Sequence, residues 1–121
     1  MWVFTETGFV SAVRKNAKPE VLTVRSRDRE SLIELAKLAN TDISLSPLGD
    51  YPYRIEAQAE VFAKWAYESA MNVDYDNFKN HVLSTRDDFF ESCLANVWVA
   101  MLKTEDAEAI QARRDWAKRN A

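Results

Sequence analysis

The sequence predicts an α+β protein, in which a small, mainly antiparallel sheet packs against helices with one face and the carboxy-terminal half is helical. Two-residue alternation of apolar and polar side chains ends near residue 57, and apolar residues at helical spacing follow it. Only two glycines and three prolines occur in 121 residues, too few for the many tight turns of a barrel or sandwich. A hydrophobic content of 47% is enough for the core of one domain.

The alternation places the strands in the first half of the chain. The predicted strands are a hairpin over 2–14, a third strand over 20–27, a short strand at Ile43 and Leu45, and a last strand over 51–57. Gly8 supplies the positive φ that the hairpin turn needs, and Pro52 marks the start or an edge of the last strand. The stretch from Ser46 through Leu48 to Asp50 is typical of a turn.

Helical spacing accounts for the remaining segments. The predicted helices run from Asp28 to about Asn40, over 58–72, over a short segment after Asp76, over 86–103 and over 105–119. Asp28 is placed to cap the first helix, Asp74 or Asp76 the short one, and Ser84 or Thr85 the long one. In the long helix, Cys93 falls on the stripe predicted to be buried.

The last helix differs from the others because it is mostly polar. Ile110 and Trp116 are its main apolar anchors. We therefore predict one α+β domain over 1–103 and a helical appendage over 104–121, through which the chain could form a homo-oligomer.

Charge and composition exclude several classes of function. A formal net charge of −3 disfavours bulk nucleic-acid binding, which draws its affinity from excess Lys and Arg. Two glycines cannot build a phosphate loop or a dinucleotide fingerprint, so no cofactor is predicted. The single cysteine, the lack of a signal-type amino terminus and the lack of a long apolar run predict a cytoplasmic protein without a membrane segment.

Arginines at matching positions of the alternation predict a binding surface. Arg25 and Arg27 share one face of the third strand, and Arg54 joins them if the last strand lies alongside with the same orientation. Three guanidinium groups on one sheet surface suit a phosphate, a carboxylate or an acidic protein. Pairing with Glu20 or Glu56, or plain solvation, is the alternative interpretation.

Other residues complete the predicted site. Tyr53 and Tyr75 are expected to stack on or orient the ligand, Lys79 to add charge, and Asn77 to add polar contacts. The oxygens around Asp76 could hold a hard cation, but helix capping explains them more simply, so no metal is predicted.

Catalytic groups are scarce. His81 is the only histidine, and a surface or capping role is commoner for such a residue than general base catalysis. Cys93 has no basic neighbour in the sequence that would make it a nucleophile. We therefore predict no catalytic residue, and the protein is expected not to be an enzyme.

Four short motifs carry a resemblance to a family. They are Trp2-Val3-Phe4-Thr5 with Gly8-Phe9, Val24-Arg25-Ser26-Arg27, Asp50-Tyr51-Pro52-Tyr53-Arg54 and Asp74-Tyr75-Asp76-Asn77-Phe78-Lys79. In order and spacing the chain resembles, over about residues 1–102, a family of short bacterial and phage proteins with no assigned activity. The resemblance implies that the motifs share one core, and a phage setting favours a small protein that blocks a host enzyme or sequesters a signal.

Three functions follow as hypotheses. The first is non-enzymatic binding of an anionic ligand, either a nucleotide or an acidic protein surface. The second is a nucleotide-handling enzyme of the phosphodiesterase type, in which arginines hold phosphate while His81 or Asp76 acts on water. The third is a helix-mediated interaction module, in which the tail docks on a twin or a partner.

Overall fold

The computed structural model describes residues 1–47 and 49–121 and confirms the α+β class. Its strands are β1 (Trp2–Thr5), β2 (Gly8–Val13), β3 (Leu22–Ser26), β4 (Ser44–Leu45) and β5 (Tyr53–Ala57). Its helices are α1 (Glu30–Ala39), α2 (Ala59–Met71), α3 (Phe78–Thr85), α4 (Asp88–Leu102) and α5 (Ala107–Arg119). Leu48, in the predicted turn, lies outside the described residues.

The strands form one antiparallel sheet with the order β1-β2-β3-β5-β4. Gly8 has a φ of 150°, in the region that favours glycine, so the predicted hairpin turn is confirmed. The last strand, β5, pairs with both β3 and β4. This order brings the strand that carries Arg54 directly beside the strand that carries Arg25.

One face of the sheet packs on α1 and α2 and forms the core. Val24 on β3 and Ile55 on β5 are register partners, and both are buried. Leu32 and Leu35, one helical turn apart on α1, are fully buried over them. Each such side chain stabilises the fold by about 1.5 to 3 kcal/mol, so this layer holds the sheet in place for the site on its other face.

Asp28 Oδ1 accepts a hydrogen bond from the backbone N–H of Ser31 at 3.2 Å as predicted, although the residue at the cap position of α1 is Arg29. The end of α1 agrees with the prediction, and the caps of α3 and α4 differ from it. Asn40 closes α1 in the left-handed conformation with a φ of 53°. The α3 cap is Asn77, which accepts a hydrogen bond from the backbone of Asn80, and the α4 cap is Asp87. The predictions of Asp74 or Asp76 and of Ser84 or Thr85 were wrong. The Thr85 hydroxyl instead donates to the Glu6 carbonyl at 2.6 Å, and the Ser84 hydroxyl donates to the His81 carbonyl.

The carboxy-terminal helices are more exposed than their composition predicts. Leu94 is the only buried residue of α4, and α5 has none. The prediction that Cys93 is buried was wrong, because the thiol is exposed. Within the described ranges, no helix combines the length and apolar character needed to cross a membrane.

Candidate functional site

Three arginines meet on the sheet face opposite the α1–α2 layer. Arg25 on β3 is the register partner of Arg54 on β5 and of Ser11 on β2. Residues directly opposite on neighbouring strands project to the same face, so these two arginines share a surface. Arg27 lies two residues beyond Arg25 and joins it at the ring of Tyr51.

The ring of Tyr51 organises this cluster. Tyr51 is only 6% exposed, and the Cζ atoms of Arg25 and Arg27 lie 4.5 and 4.6 Å from its ring centroid. An aromatic face attracts a guanidinium group without neutralising its charge. The Tyr51 carbonyl also accepts a hydrogen bond from Arg54 Nε at 3.2 Å. One tyrosine therefore positions all three arginines.

The charge of these arginines is not balanced by carboxylates. Within residues 1–47 and 49–121, none of the three forms an ion pair. Glu56, the cross-strand partner considered in the alternative interpretation, pairs with Lys18 instead. Arg25 donates to Ser11 Oγ at 2.9 Å, while its buried Nε has no hydrogen-bond partner among the described residues. The face therefore keeps positive charge for an external anion.

A cavity of about 540 Å³ lies between this face and the amino-terminal part of α4. Aromatic side chains make up much of its wall: Trp2, Phe4, Phe9, Tyr51, Phe89 and Phe90. Its polar lining includes Arg27, Asp28, Ser31, Arg86 and Asp87. A mainly apolar wall with a few polar groups, at this volume, is typical of small-molecule sites.

The aromatic rings leave open surfaces at the cavity. Phe4 and Phe9 stack with centroids 4.5 Å apart, and Trp2 meets Phe9 edge-on at 5.6 Å. Trp2 is 68% exposed and Phe89, on the opposite wall, is 80% exposed. Large rings are seldom left this open without a partner, so the two walls could hold a planar group between them.

Arg86 is the buried cation of the cavity. Its side chain is 6% exposed, forms an ion pair with Asp28, and donates a hydrogen bond to the Thr7 carbonyl at 2.8 Å. Its Nε lies 3.4 Å from a Glu30 carboxylate oxygen without hydrogen-bonding geometry. The ring of Phe90 covers the guanidinium group at 4.3 Å. Arg86 thus ties the α3–α4 connection to the hairpin turn and to the start of α1.

Asp28 balances the charge of Arg86. Burial alone would raise the pKa of Asp28, but hydrogen bonds from Ser31 and Arg86, together with the positive charge of Arg86, outweigh burial and lower the pKa below 3.8. The ionised carboxylate neutralises Arg86. Among the residues that the structure describes, Arg27 is therefore the cavity-lining arginine without a carboxylate partner, so its charge is available to a ligand.

The structure places the other predicted binding residues apart from the arginines. Tyr75 stacks on His81 with centroids 4.3 Å apart. Asn77 caps α3, and Lys79 Nζ lies 4.5 Å from the ring centroid of Trp98. Asn77 and Lys79 line a separate hollow that shares part of its wall with the main cavity. These residues border the site instead of joining the arginine cluster.

His81 is engaged by its own neighbours. Its Nε2 is hydrogen-bonded to the carboxylate of Glu6, and the ring of Tyr75 covers it. Burial raises the pKa of Tyr75 above 10.0, and the nearby charges of Glu6 and Asp74 raise it further. Tyr75 therefore stays a neutral ring that packs on the histidine. His81 does not line the arginine-bearing cavity.

Tyr53 and Tyr51 lie in different surroundings. Tyr53 pairs with Ser26 in the sheet, packs against the core, and has the Cζ atom of Arg29 at 5.3 Å from its ring. The sequence alternation put both tyrosines on one face of a strand. Tyr51 precedes the start of β5, so the alternation does not govern it, and its ring reaches the arginines.

Two important residues were missed by the sequence analysis. Nothing in the sequence distinguishes Tyr51 from Tyr53 as the tyrosine that contacts the arginines. Arg86 directly precedes two aspartates, a pattern typical of a solvated helix start, and its burial depends on residues more than fifty positions away.

Cys93 also lines the cavity, at its α4 wall. Within the part of the chain that the structure describes, no three His, Cys, Asp or Glu side chains converge to hold a metal ion. The exposed thiol therefore belongs to the wall of the cavity and not to a cluster of potential metal ligands.

Comparisons with protein-family models, with curated proteins and with solved structures gave no match. Function is therefore inferred from the geometry of the arginine cluster and the cavity beside it.

Proposed function

We propose that this protein is a non-enzymatic binding protein whose cavity takes an anionic ligand that carries a planar ring. A nucleotide is the chemical class that combines these two groups. One observation carries the proposal: Arg25 and Arg27 share the ring of Tyr51 and have no carboxylate partner in residues 1–47 and 49–121. Such preorganised charge lowers the entropy cost of binding an anion.

Different lining residues would bind the ring and the phosphate of the ligand. The ring of the ligand would stack near Trp2 and Phe89, where stacking contributes about 1 to 3 kcal/mol per base. Its phosphate would meet Arg27. Arg25 and Arg54 do not line the cavity, so they would contribute only the positive potential of the same sheet face. A charge-assisted hydrogen bond contributes about 1.5 to 3 kcal/mol, so Arg27 should dominate the affinity for the anion.

An acidic protein segment is the second candidate for the same site. It is favoured by the exposure of Trp2 and Phe89 beside the arginines, since Trp and Arg are enriched among the residues that dominate protein interfaces. The phosphodiesterase alternative has less support, because His81 Nε2 is bound to Glu6 away from this cavity.

The resemblance to short phage and bacterial proteins extends the proposal. Capture of a nucleotide signal, or occlusion of a host enzyme, in the cytoplasm is the biological outcome we propose for such a binder. Both outcomes use the same arginine face.

Calorimetric titration with a panel of mononucleotides and cyclic nucleotides tests the proposal. Arg27→Ala should weaken binding about tenfold to a hundredfold, since it removes a charge-assisted contact. Arg14→Ala is the matched control, because it removes the same charge from an exposed arginine that donates to the Pro19 carbonyl. The control should bind as the wild type does.

Three results separate the candidates. Nucleotide binding that Arg27→Ala leaves unchanged would refute the site. Binding of acidic peptides without nucleotide binding would favour the protein partner. Turnover of a nucleotide that His81→Ala abolishes would support the enzyme alternative.

A further inference from the structure

The carboxy-terminal half of α4 is apolar on every side and yet exposed. Residues 92–102 contain no charged side chain. Every residue from Val97 to Leu102 is exposed, which covers nearly two turns and therefore all directions around the helix. A helix that is hydrophobic all round is normally buried in a folded protein. We therefore expect another surface to cover this end of α4.

Residues 1–47 and 49–121 do not cover this surface. The eight residues of α3 span about 12 Å, whereas the fifteen residues of α4 span about 22 Å, so the last turns of α4 extend past α3. The following helix, α5, buries no residue and leaves Ile110 and Trp116 exposed. Each of these two helices therefore leaves apolar side chains exposed.

The size of this surface matches a protein interface. Its members are Val97, Trp98, Val99, Met101 and Leu102 on α4 and Ile110 and Trp116 on α5, each between 38% and 62% exposed. An aromatic side chain alone can bury about 150 to 250 Å², and together these seven expose on the order of 700 Å². Each partner in a standard interface buries about 800 Å², and patches this large are uncommon on monomers.

The charges around α4 indicate which partner fits. Its first turn and cap carry Asp87, Asp88 and Glu91. Helices that bind lipid surfaces carry Lys and Arg beside their apolar side, whereas α4 has no Lys or Arg and α5 mixes its basic residues with Glu108 and Asp115. This mixture of charges fits a protein surface better than an anionic membrane. A second copy offers the same uncharged helix end, and the last turn of its α5 brings Lys118 and Arg119 as complements to those acids.

We infer that the protein forms a two-fold symmetric homodimer in which the Val97–Leu102 end of α4 packs against α4 and α5 of a second copy. Two helices from each copy can surround an apolar helix end as the helices of a bundle do. The dimer interface is thus centred on α4, and the tail helix completes it. This inference does not depend on the proposed ligand.

Sedimentation equilibrium over a wide concentration range tests the dimer. The wild type should dimerise with a dissociation constant of about 1 μM or below, as interfaces of this area do. Val99→Glu and Met101→Glu place a charge in the interface and should each weaken dimerisation about a hundredfold or more. Both residues are more than half exposed in the monomer, so the variants should keep the wild-type circular dichroism spectrum.

Tyr67→Glu is the matched control. Tyr67 lies on α2 and is 65% exposed, so the same charge is added to an apolar site outside the interface, and this variant should dimerise normally. Cross-linking gives an independent readout. In a Cys93→Ser background, a short bismaleimide should link Met101→Cys chains in pairs and leave Tyr67→Cys chains unlinked.

Several outcomes would overturn the inference. A wild type that stays monomeric at the highest soluble concentration refutes the dimer, and binding of that monomer to anionic vesicles would point to a lipid surface instead. A wild-type dimer that both glutamate variants preserve would place the interface elsewhere.

Discussion

Replacing Arg86 by methionine tests the architecture around the cavity. Methionine keeps the aliphatic stem that packs near Phe90 and removes the guanidinium group. Asp28 then loses its ion-pair partner, and the Thr7 carbonyl loses a hydrogen bond of 2.8 Å. Because Arg86 is nearly buried, solvent can compensate for these losses only at the exposed part of Asp28.

The expected cost is intermediate between a buried and an exposed ion pair. Removing one partner of a fully buried pair costs about 3 to 5 kcal/mol, whereas exposed pairs contribute about 0 to 1 kcal/mol. Arg86 is 6% exposed but the Asp28 side chain is 41% exposed, so water can partly rehydrate the carboxylate. We therefore expect Arg86→Met to lower the free energy of unfolding by about 2 to 3 kcal/mol.

Urea unfolding followed by circular dichroism measures this cost, at one fixed protein concentration because association would stabilise the fold. Arg113→Met is the matched control: its ion pair with Glu105 is on α5, where the arginine side chain is 70% exposed, and the expected change is below about 0.5 kcal/mol. The reasoning is refuted if the two variants cost the same. A double-mutant cycle with Asp28→Asn should show a coupling of about 1 kcal/mol or more.

Three further predictions follow from the same region and from the tail. The pKa of Asp28 is lower in the folded protein than its value of 3.8 in the unfolded chain, so the ionised carboxylate stabilises the fold above pH 3.8. This stability is lost as the pH falls through the folded pKa. The free energy of unfolding should therefore decrease less steeply with falling pH for Asp28→Asn than for the wild type. Gly8→Ala should lower the free energy of unfolding by about 2 kcal/mol or more, because a Cβ there would lie 2.0 Å from Ser31 Oγ at a φ of 150°. Gly49→Ala is the control in the same urea experiment. It should cost little, since the close neighbour of its Cβ is the movable end of an arginine side chain. Truncation after Lys103 should leave a cooperatively melting domain, because α5 buries no residue, and an unfolded product would show that the tail belongs to the core.

Patterns along the chain are enough to predict the class of fold and most of its elements. Alternation of side chains predicts β3 and β5, and helical spacing predicts α1, α2 and α4, because these signals come from neighbours along the chain. The shared face of Arg25 and Arg27 follows from the same alternation. Local signals also predict Gly8 at the turn and Asn40 at the end of α1, where a positive φ is required.

The surroundings of those residues depend on contacts between distant parts of the chain, which local patterns do not encode. The pairing of β3 with β5 sets Arg54 beside Arg25, and the ring of Tyr51 reaches them from outside a strand, where alternation no longer applies. Arg86 meets Asp28 across 58 positions, a contact that no local pattern encodes. The sequence likewise does not decide what buries the apolar stripe of α4. Its apolar spacing predicts that the stripe is covered, but spacing cannot tell whether the covering surface comes from the same chain or from a second one.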